Sequence, residues 1–549
     1  MNQNRAISRA AVAAAGLLVA ALLGGCTAGG QTKAKDTSAS SGPTIMTAAA
    51  ASEVDKITWN VFEGEPKTVD PFKSADYTPN MINSNLCENL LTQTPDFQIK
   101  PNLAAKASNP DPLHWVYDLR TDVKFWDESP MTAEDVAFSL QHNLSDKTTF
   151  YNYLYGNVAN IAVTGPNQVT VTLSSPDYLF NDELASYAGV VVQKKFFETH
   201  HADFGSPSTG VMCTGPFKFD KWTQGQSISI VRNDSYWNTS LKPKAKKIDF
   251  TFLTDSAAIT SGLLAGQIDG TFNVPPASIT QLKNTPVGTL SQGPAPLIET
   301  IVWANPDGAG SNPQVRKALQ MAIDWNGIAK QVLGGVGQPT RLQTPSTAFG
   351  FASTQLDALE KSLPEPVSAR YDDAKKIVDG LPADVKAKKI QMVVPGTAKT
   401  QQIGVAVKDA ANRIGLNFEL TVVPTTGYSS YLYDPATRAG VDILYTAFWP
   451  NIPNPLDWLV TTAVSGGLFN QYNYNGVDAK FAEARGTADP DKRAQLVADI
   501  ETTLHDQLLP MTPGVKVDNT VWMNKRITGA PAAFAYVYYP WAAHLGGTQ

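Results

Sequence analysis

Apolar and polar positions follow one another along this chain in three distinct ways, and each predicts a different kind of element. Residues 10–23 form an apolar run, preceded by Arg5 and Arg9 and followed by Gly24 and Gly25. A basic start, an apolar stretch too short to span a bilayer and a small-residue exit predict a secretory signal peptide. Residues 27–52 carry no apolar periodicity and consist mostly of Ala, Ser, Thr, Gly and Lys. Such a stretch buries too little surface to offset its ordering entropy, so residues 26–52 read as a flexible tether. Apolar runs and alternations at 56–62, 115–119, 123–125, 169–173 and 227–231 predict strands, as do those at 389–394, 417–423 and 442–448.

Helices are announced by their caps and by a longer period. Thr132-Ala133-Glu134-Asp135 has the form of a capping box, a Thr with a carboxylate three positions on, and Val136, Phe138 and Leu140 follow. Residues 313–328 place Val315, Ala318, Leu319, Ala322 and Ile323 on one face, with Asn312 as cap and Pro313 in the first turn. Further helical stretches are expected near 81–91 and 401–414. Strands and helices interleave, which predicts an α/β fold. The body from residue 53 to 549 is too long for one simple core, so two or more lobes are expected. No segment after the leader has about 18 consecutive apolar residues.

Composition narrows the class. The chain is 43% hydrophobic and 17% charged with 40 Gly and 37 Pro, the usage of a turn-rich mixed α/β protein. A net charge of -6 without a long basic run argues against a nucleic-acid partner. Beyond Cys26 only Cys87 and Cys213 remain. Two cysteines in an exported chain read as one disulfide, the alternative being two buried thiols. Among catalytic and cofactor motifs, G-x-S-x-G, H-E-x-x-H, the P-loop and C-x-x-C are all missing, so no enzyme activity and no cofactor are expected. Gly334-Gly335-Val336-Gly337 lacks the Lys that would make it a phosphate cradle. His200-His201 is the sole His pair and reads as surface, because adjacent side chains rarely face one metal.

Several strings carry a resemblance. Leu23-Gly24-Gly25-Cys26 resembles the end of a bacterial lipoprotein signal, which implies cleavage after residue 25 and acylation of Cys26. Glu88-Asn89-Leu90-Leu91 with Pro101-Asn102-Leu103-Ala104 is similar to a stretch of the extracytoplasmic solute-binding proteins of peptide-type ABC importers, family 5. Tyr117-Asp118-Leu119-Arg120, Val123-Lys124-Phe125-Trp126-Asp127 and Met131-Thr132-Ala133-Glu134-Asp135-Val136 resemble the most recognisable signature of that family, with Trp126 at a usual His. Cys213-Thr214-Gly215-Pro216-Phe217, with Cys213 at a usual Gly, and Pro313-Gln314-Val315-Arg316-Lys317-Ala318-Leu319 follow in the family's order. The resemblance implies a two-lobed, hinge-closing periplasmic-binding-protein-like fold with a subdomain inserted in the first lobe. Lobe I would comprise 53–88, 206–298 and 517–549, the insertion 89–205, and lobe II 299–516. It further implies a monomer on the outer face of the cell membrane, held by the Cys26 lipid and partnered by ABC permease and ATPase subunits.

The same resemblance points to a ligand cleft. An acidic residue that takes the ligand amine in the family maps onto Asn451, in Trp449-Pro450-Asn451-Ile452-Pro453-Asn454-Pro455. An Asn both donates and accepts, so it suits a carbonyl, a hydroxyl or a blocked peptide end as well as an amine. Trp449, Trp458, Trp303 and Tyr77 are candidate stacking groups, with core packing as the alternative for each Trp. Asn454 and Asn85 complete the expected ligand-binding set, Asn85 belonging to a cluster with Asn80, Asn83 and Asn89 that equally suits turns and caps. The expected ligand is an oligopeptide or peptide-like solute. Trp and Asn residues leave an oligosaccharide as the alternative, and an exported hydrolase or an adhesin is the reading from another class.

Overall fold

A computed structural model describes residues 44–364 and 369–549. The signal peptide expected over 1–25, the acylated Cys26 and the tether as far as residue 43 lie outside the described residues. Residues 44–52, expected as the end of the tether, are ordered. Thr47 N–H donates to the Ala530 carbonyl at 3.1 Å, Ala51 N–H to Gly547 at 2.8 Å, and Ala532 N–H to Ile45 at 2.9 Å. Backbone pairing with the C-terminal segment supplies what the side chains of this Ala- and Thr-rich stretch lack.

One extended mixed sheet organises the body. In spatial order it runs Asn417–Val423, Lys389–Pro395, Ile443–Phe448, Gly288–Trp303, Val515–Asn524, Gly270–Phe272, Ile57–Asn60, Lys247–Thr251, Ser227–Arg232 and Phe217–Thr223. Gly337–Pro339 adds a short eleventh strand beside Val515–Asn524. Parallel strand pairing is confined to two places: Ile57–Asn60 pairs parallel with Lys247–Thr251 and with Gly270–Phe272, and Lys389–Pro395 pairs parallel with Asn417–Val423 and with Ile443–Phe448. Antiparallel pairing joins the middle and forms the edge from Lys247–Thr251 to Phe217–Thr223. The strand Gly288–Trp303 faces Asn524–Asn519 over Gly288–Gly293, shifts register at Pro294-Ala295-Pro296, and then faces Val517–Val515 over Leu297–Glu299. Its last six residues pair on their other side with Ile443–Phe448, so that Ile298 and Glu299 have strand partners on both sides. Residues 298–303 are all buried, as expected for a strand covered on both faces. The lobe boundaries expected at 298/299 and 516/517 fall inside these two long strands.

Residues 104–173 build a separate antiparallel sheet of Ala104–Asp111, His114–Leu119, Gln168–Leu173 and Val158–Gly165. Helix Ala133–Ser145 packs on it through Val136, Ala137 and Leu140. Its capping box is complete, since the Asp135 N–H donates to Thr132 Oγ1 at 3.2 Å and the Thr132 N–H to the Asp135 carboxylate at 3.0 Å.

Three expected elements are shorter than their patterns suggest. The helix at 313 ends at Ala322, where Ile323 adopts an extended conformation and Asp324 caps a new turn by accepting the Gly327 N–H at 2.9 Å. The helix near 81–91 occupies Tyr77–Asn83 instead. Beyond it the Ser84 hydroxyl and the Asn85 amide both donate to the Met81 carbonyl, and side chains that compete for helix carbonyls end the helix. The 123–125 strand is reduced to a single bridge between Lys124 and Pro130.

Cys87 and Cys213 are joined in a disulfide that spans 126 residues and ties the segment after helix Tyr77–Asn83 to the segment leading into strand Phe217–Thr223. Closing so long a loop removes much entropy from the unfolded chain. The double variant Cys87→Ala/Cys213→Ala should lose about 2–5 kcal/mol, read as a drop in the urea midpoint, and reductant should lower the wild-type midpoint to match.

Candidate ligand-binding cleft

Near the central crossing strands lies a cavity of about 350 Å³ with walls from the two sides of those strands. One wall comes from the turn after Ile57–Asn60 (Phe62, Glu63), from Tyr77, from residues 273–277 and from the C-terminal segment (Phe534, Tyr536). The other comes from the first turn of helix Ala398–Arg413 with Lys399 and Gln402, from Leu333 and Val336, and from Ala447. Glu299 and Leu297 of the crossing strand form its floor. The volume is at the lower end of the ~300–1,000 Å³ usual for small-molecule pockets.

The charges in the cleft are unequal in number and in partners. Glu63, Glu299 and Asp518 stand against the single ammonium of Lys399. Glu299 is 3% exposed, ion-paired to Lys399 at 2.6 Å and hydrogen-bonded by the Tyr445 hydroxyl. Lys399 sits at the positive end of its helix, a place that repels an ammonium, so Glu299 is what holds it there. Asp518 accepts from Gln292 at 2.9 Å. Glu63 has no ion pair among the described residues. The crowded walls and then the charge of Asp76 push its carboxyl up, to about 8, against the pull of Lys399 and the Tyr77 amide. Water reaches Glu63 in the open cleft, so the push strengthens as the cleft dries. Burial, and after it the charge of Glu63, also raises the Tyr536 hydroxyl well above its ordinary range.

An aromatic wall backs these groups. The Tyr77 ring centroid lies 5.2 Å from Phe62, 5.8 Å from Phe534 and 4.0 Å from Trp449, and Phe534 lies 4.9 Å from Tyr536. Tyr77 therefore stands at the cavity and Trp449 behind it.

The other expected ligand residues lie elsewhere. Trp303 and Trp458 are fully buried, Trp303 against Gly310 and Trp458 at 4.8 Å from Phe448, so both are core residues and neither offers a ring face to solute. Asn85 is buried, accepting the Ala542 N–H and donating to Met81, and it holds the C-terminal segment in place. Asn454 caps helix Pro455–Thr462 by accepting the Leu456 N–H at 2.9 Å and donates to Asp182 at 3.2 Å. Asn451 donates to the Tyr153 hydroxyl at 2.7 Å and to Asp457 at 3.1 Å, and accepts from Tyr538 at 3.1 Å. Both its donors are committed inside the protein. Glu63, Glu299 and Lys399 went unread in the sequence. The one available signal was a carboxylate in the otherwise apolar run Leu297-Ile298-Glu299-Thr300-Ile301-Val302-Trp303, since a charge there requires a partner.

A wider groove of about 690 Å³ runs between Asn89, Asn102 and Arg120 on one side and Tyr236–Leu241 on the other. Its carboxylates are already matched, and Lys100 is the one lining cation without an ion pair among the described residues. Glu88 accepts from Thr214, Tyr236 and Trp237, and Arg120 pairs with Asp122 and covers the Trp237 ring at 4.3 Å. The smaller cleft, with its unpaired carboxylate, is the better candidate.

The comparisons bear on the whole body. The family model for bacterial extracellular solute-binding proteins, family 5 middle, matches residues 98–470. The chain belongs to that family. As a family 5 protein it is 24% identical over 478 residues to the glutathione-binding protein GsiB of Salmonella typhimurium, covering 84% of this chain and 89% of the relative. Against the periplasmic murein peptide-binding protein MppA of Escherichia coli it is 24% identical over 441 residues, 76% and 80% of the two chains. Among solved structures, the periplasmic binding protein DppA from Helicobacter pylori in complex with the peptide STSA superposes with a TM-score of 0.76 at 18% identity, covering 91% of this chain and 99% of that one. The fold of this family 5 protein is thus the two-lobed periplasmic-binding-protein fold expected from the sequence.

Two predictions follow from the cluster around Asn451. Glu183 and Asp457 are both buried and face one another. Asp457 also accepts from Asn451 and from the Ile452 N–H at 3.1 Å, whereas neither oxygen of Glu183 has another partner. The ionised member is therefore Asp457, and burial with the adjacent charge pushes the Glu183 carboxyl well above its usual range. A folded-state value raised above the unfolded one gives stability that is full at low pH and lost as pH rises. Glu183→Gln keeps a donor to Asp457 without a proton to lose, so its melting temperature should fall less between pH 5 and pH 8 than that of the wild type. Asn451→Asp removes both donors and sets a second carboxylate against Asp457. It should cost about 1–3 kcal/mol in urea unfolding at pH 7.

Proposed function

We propose that this family 5 protein is the lipid-anchored solute receptor of a peptide-type ABC importer, capturing oligopeptides or peptide-like solutes and delivering them to the permease. The observation that carries this reading is the cavity whose walls come from both sides of the central strands. A receptor that closes on its ligand needs contacts from both sides at once, because only differential affinity for the closed state shifts the population. The crossing strands Gly288–Trp303 and Val515–Asn524 are the natural hinge. The relatives' names, glutathione-binding and murein peptide-binding, support a peptide-like ligand of modest length, and so does the small cavity. The leader and Cys26 support attachment to the outer face of the membrane. A sugar ligand loses its basis with Trp303 and Trp458 in the core.

The test is native mass spectrometry of the body, residues 44–549, purified without refolding, with fragmentation of whatever is released. Short peptides, or masses that fragment at amide bonds, are the expected result. Hexose-spaced fragments as the sole bound species would overturn the reading.

A further inference from the structure

We propose that the cleft selects solutes carrying a cationic group, an ammonium or a guanidinium, and that Glu63 is the residue that receives it. The inference rests on the peptide reading and adds to it a charge requirement and a named residue.

Three observations meet at Glu63. It lines the cavity and has no ion pair among the described residues, while the other carboxylates there are engaged, Glu299 by Lys399 and Tyr445, and Asp518 by Gln292. Its surroundings are aromatic, with Tyr77, Phe534 and Tyr536 in the same wall. A carboxylate beside ring faces is the arrangement that holds a cation by charge-assisted hydrogen bonds and cation–π attraction together. Third, the cavity lining is net negative even with Glu63 protonated, Glu299 and Asp518 standing against the one ammonium of Lys399, so the field draws in a cation and opposes an anion. The raised affinity of Glu63 for a proton agrees with this geometry, because a ligand cation would supply compensation that the pull of Lys399 does not. Asn451, expected to meet the ligand's end, is held by Tyr153, Tyr538 and Asp457 and makes no such contact.

The probe is a pool of random tetrapeptides in two halves. One half has free amino termini and includes Lys and Arg. The other is N-acetylated and contains no basic residue. Wild-type protein is incubated with the pool at pH 7, and the captured members are read by native mass spectrometry. Enrichment of the cationic half by about 10- to 100-fold is expected, the size of one charge-assisted contact. Glu63→Gln should bring the two halves close to parity, and Glu63→Asp, which keeps the charge, should retain a preference and report that the site still folds. Equal capture of both halves by the wild type, or an undiminished preference in Glu63→Gln, would overturn the charge requirement while leaving the peptide reading intact. Capture of neither half would overturn the peptide reading and this inference with it.

Discussion

The antiparallel pairing of Gly288–Trp303 with Val515–Asn524 is the constraint on which the rest of this structure hangs. These strands pass through the middle of the sheet, and every cleft residue is positioned relative to them. Glu299 marks the point of transfer, since it lies opposite Val515 on one side and Ala447 on the other. A carboxylate at such a place is costly to bury, and it is tolerated because Lys399 and Tyr445 reach it from two further elements. That triad ties the first turn of helix Ala398–Arg413 to the floor of the cleft. Removing one partner would leave a buried charge uncompensated, which costs more than the intact pair contributes.

A second set of polar contacts keeps Asn451 out of the cleft. Asp457 is satisfied by Asn451 and Ile452, Glu183 stands beside it as the neutral carboxyl, and Tyr153 and Tyr538 complete the shell around the Asn451 amide. These residues come from four separate stretches of chain. Their mutual satisfaction fixes the Trp449–Asn454 loop, and with it the Trp449 ring that backs Tyr77. A cluster that might be read as ligand recognition is instead the means by which the loop is oriented.

Much of the architecture was legible because local signals and tertiary demands agreed. The capping box at Thr132, the strands at 115–119, 227–231 and 417–423, and the Asn312 cap with Pro313 all appear where period and caps put them. The motif strings pointed to the family that the model match shows. What escaped was non-local. The Gly288–Trp303 strand is broken by Pro294 and Pro296, residues that argue against a strand, yet the bulge there absorbs both. Residues 44–52 are ordered through a backbone partner nearly 500 residues away in sequence. Trp303, beside the expected lobe crossing, and Trp458, flanking the Asn451 segment, show why aromatics there are poor markers of a site, since both places also need core. Glu63 carried no signal at all, because a lone Glu after a strand is ordinary until its neighbours are known.

The contrast between Glu299 and Glu63 bears on how such a cleft could discriminate. Both are carboxylates in the same cavity, but one is compensated by the protein and the other is not. A neutral solute that dries the cleft would deepen the penalty on Glu63, because the water that now reaches it would leave and nothing would replace that water. A cationic solute would relieve the same penalty on arrival. The two cases therefore differ by more than the strength of one new contact, since the first adds a cost where the second removes it. Discrimination of this kind requires no tight fit around the rest of the ligand, only that closure should exclude water from Glu63. Permissive contacts along the aromatic wall and a strict condition at one carboxylate are thus compatible within a single small cavity.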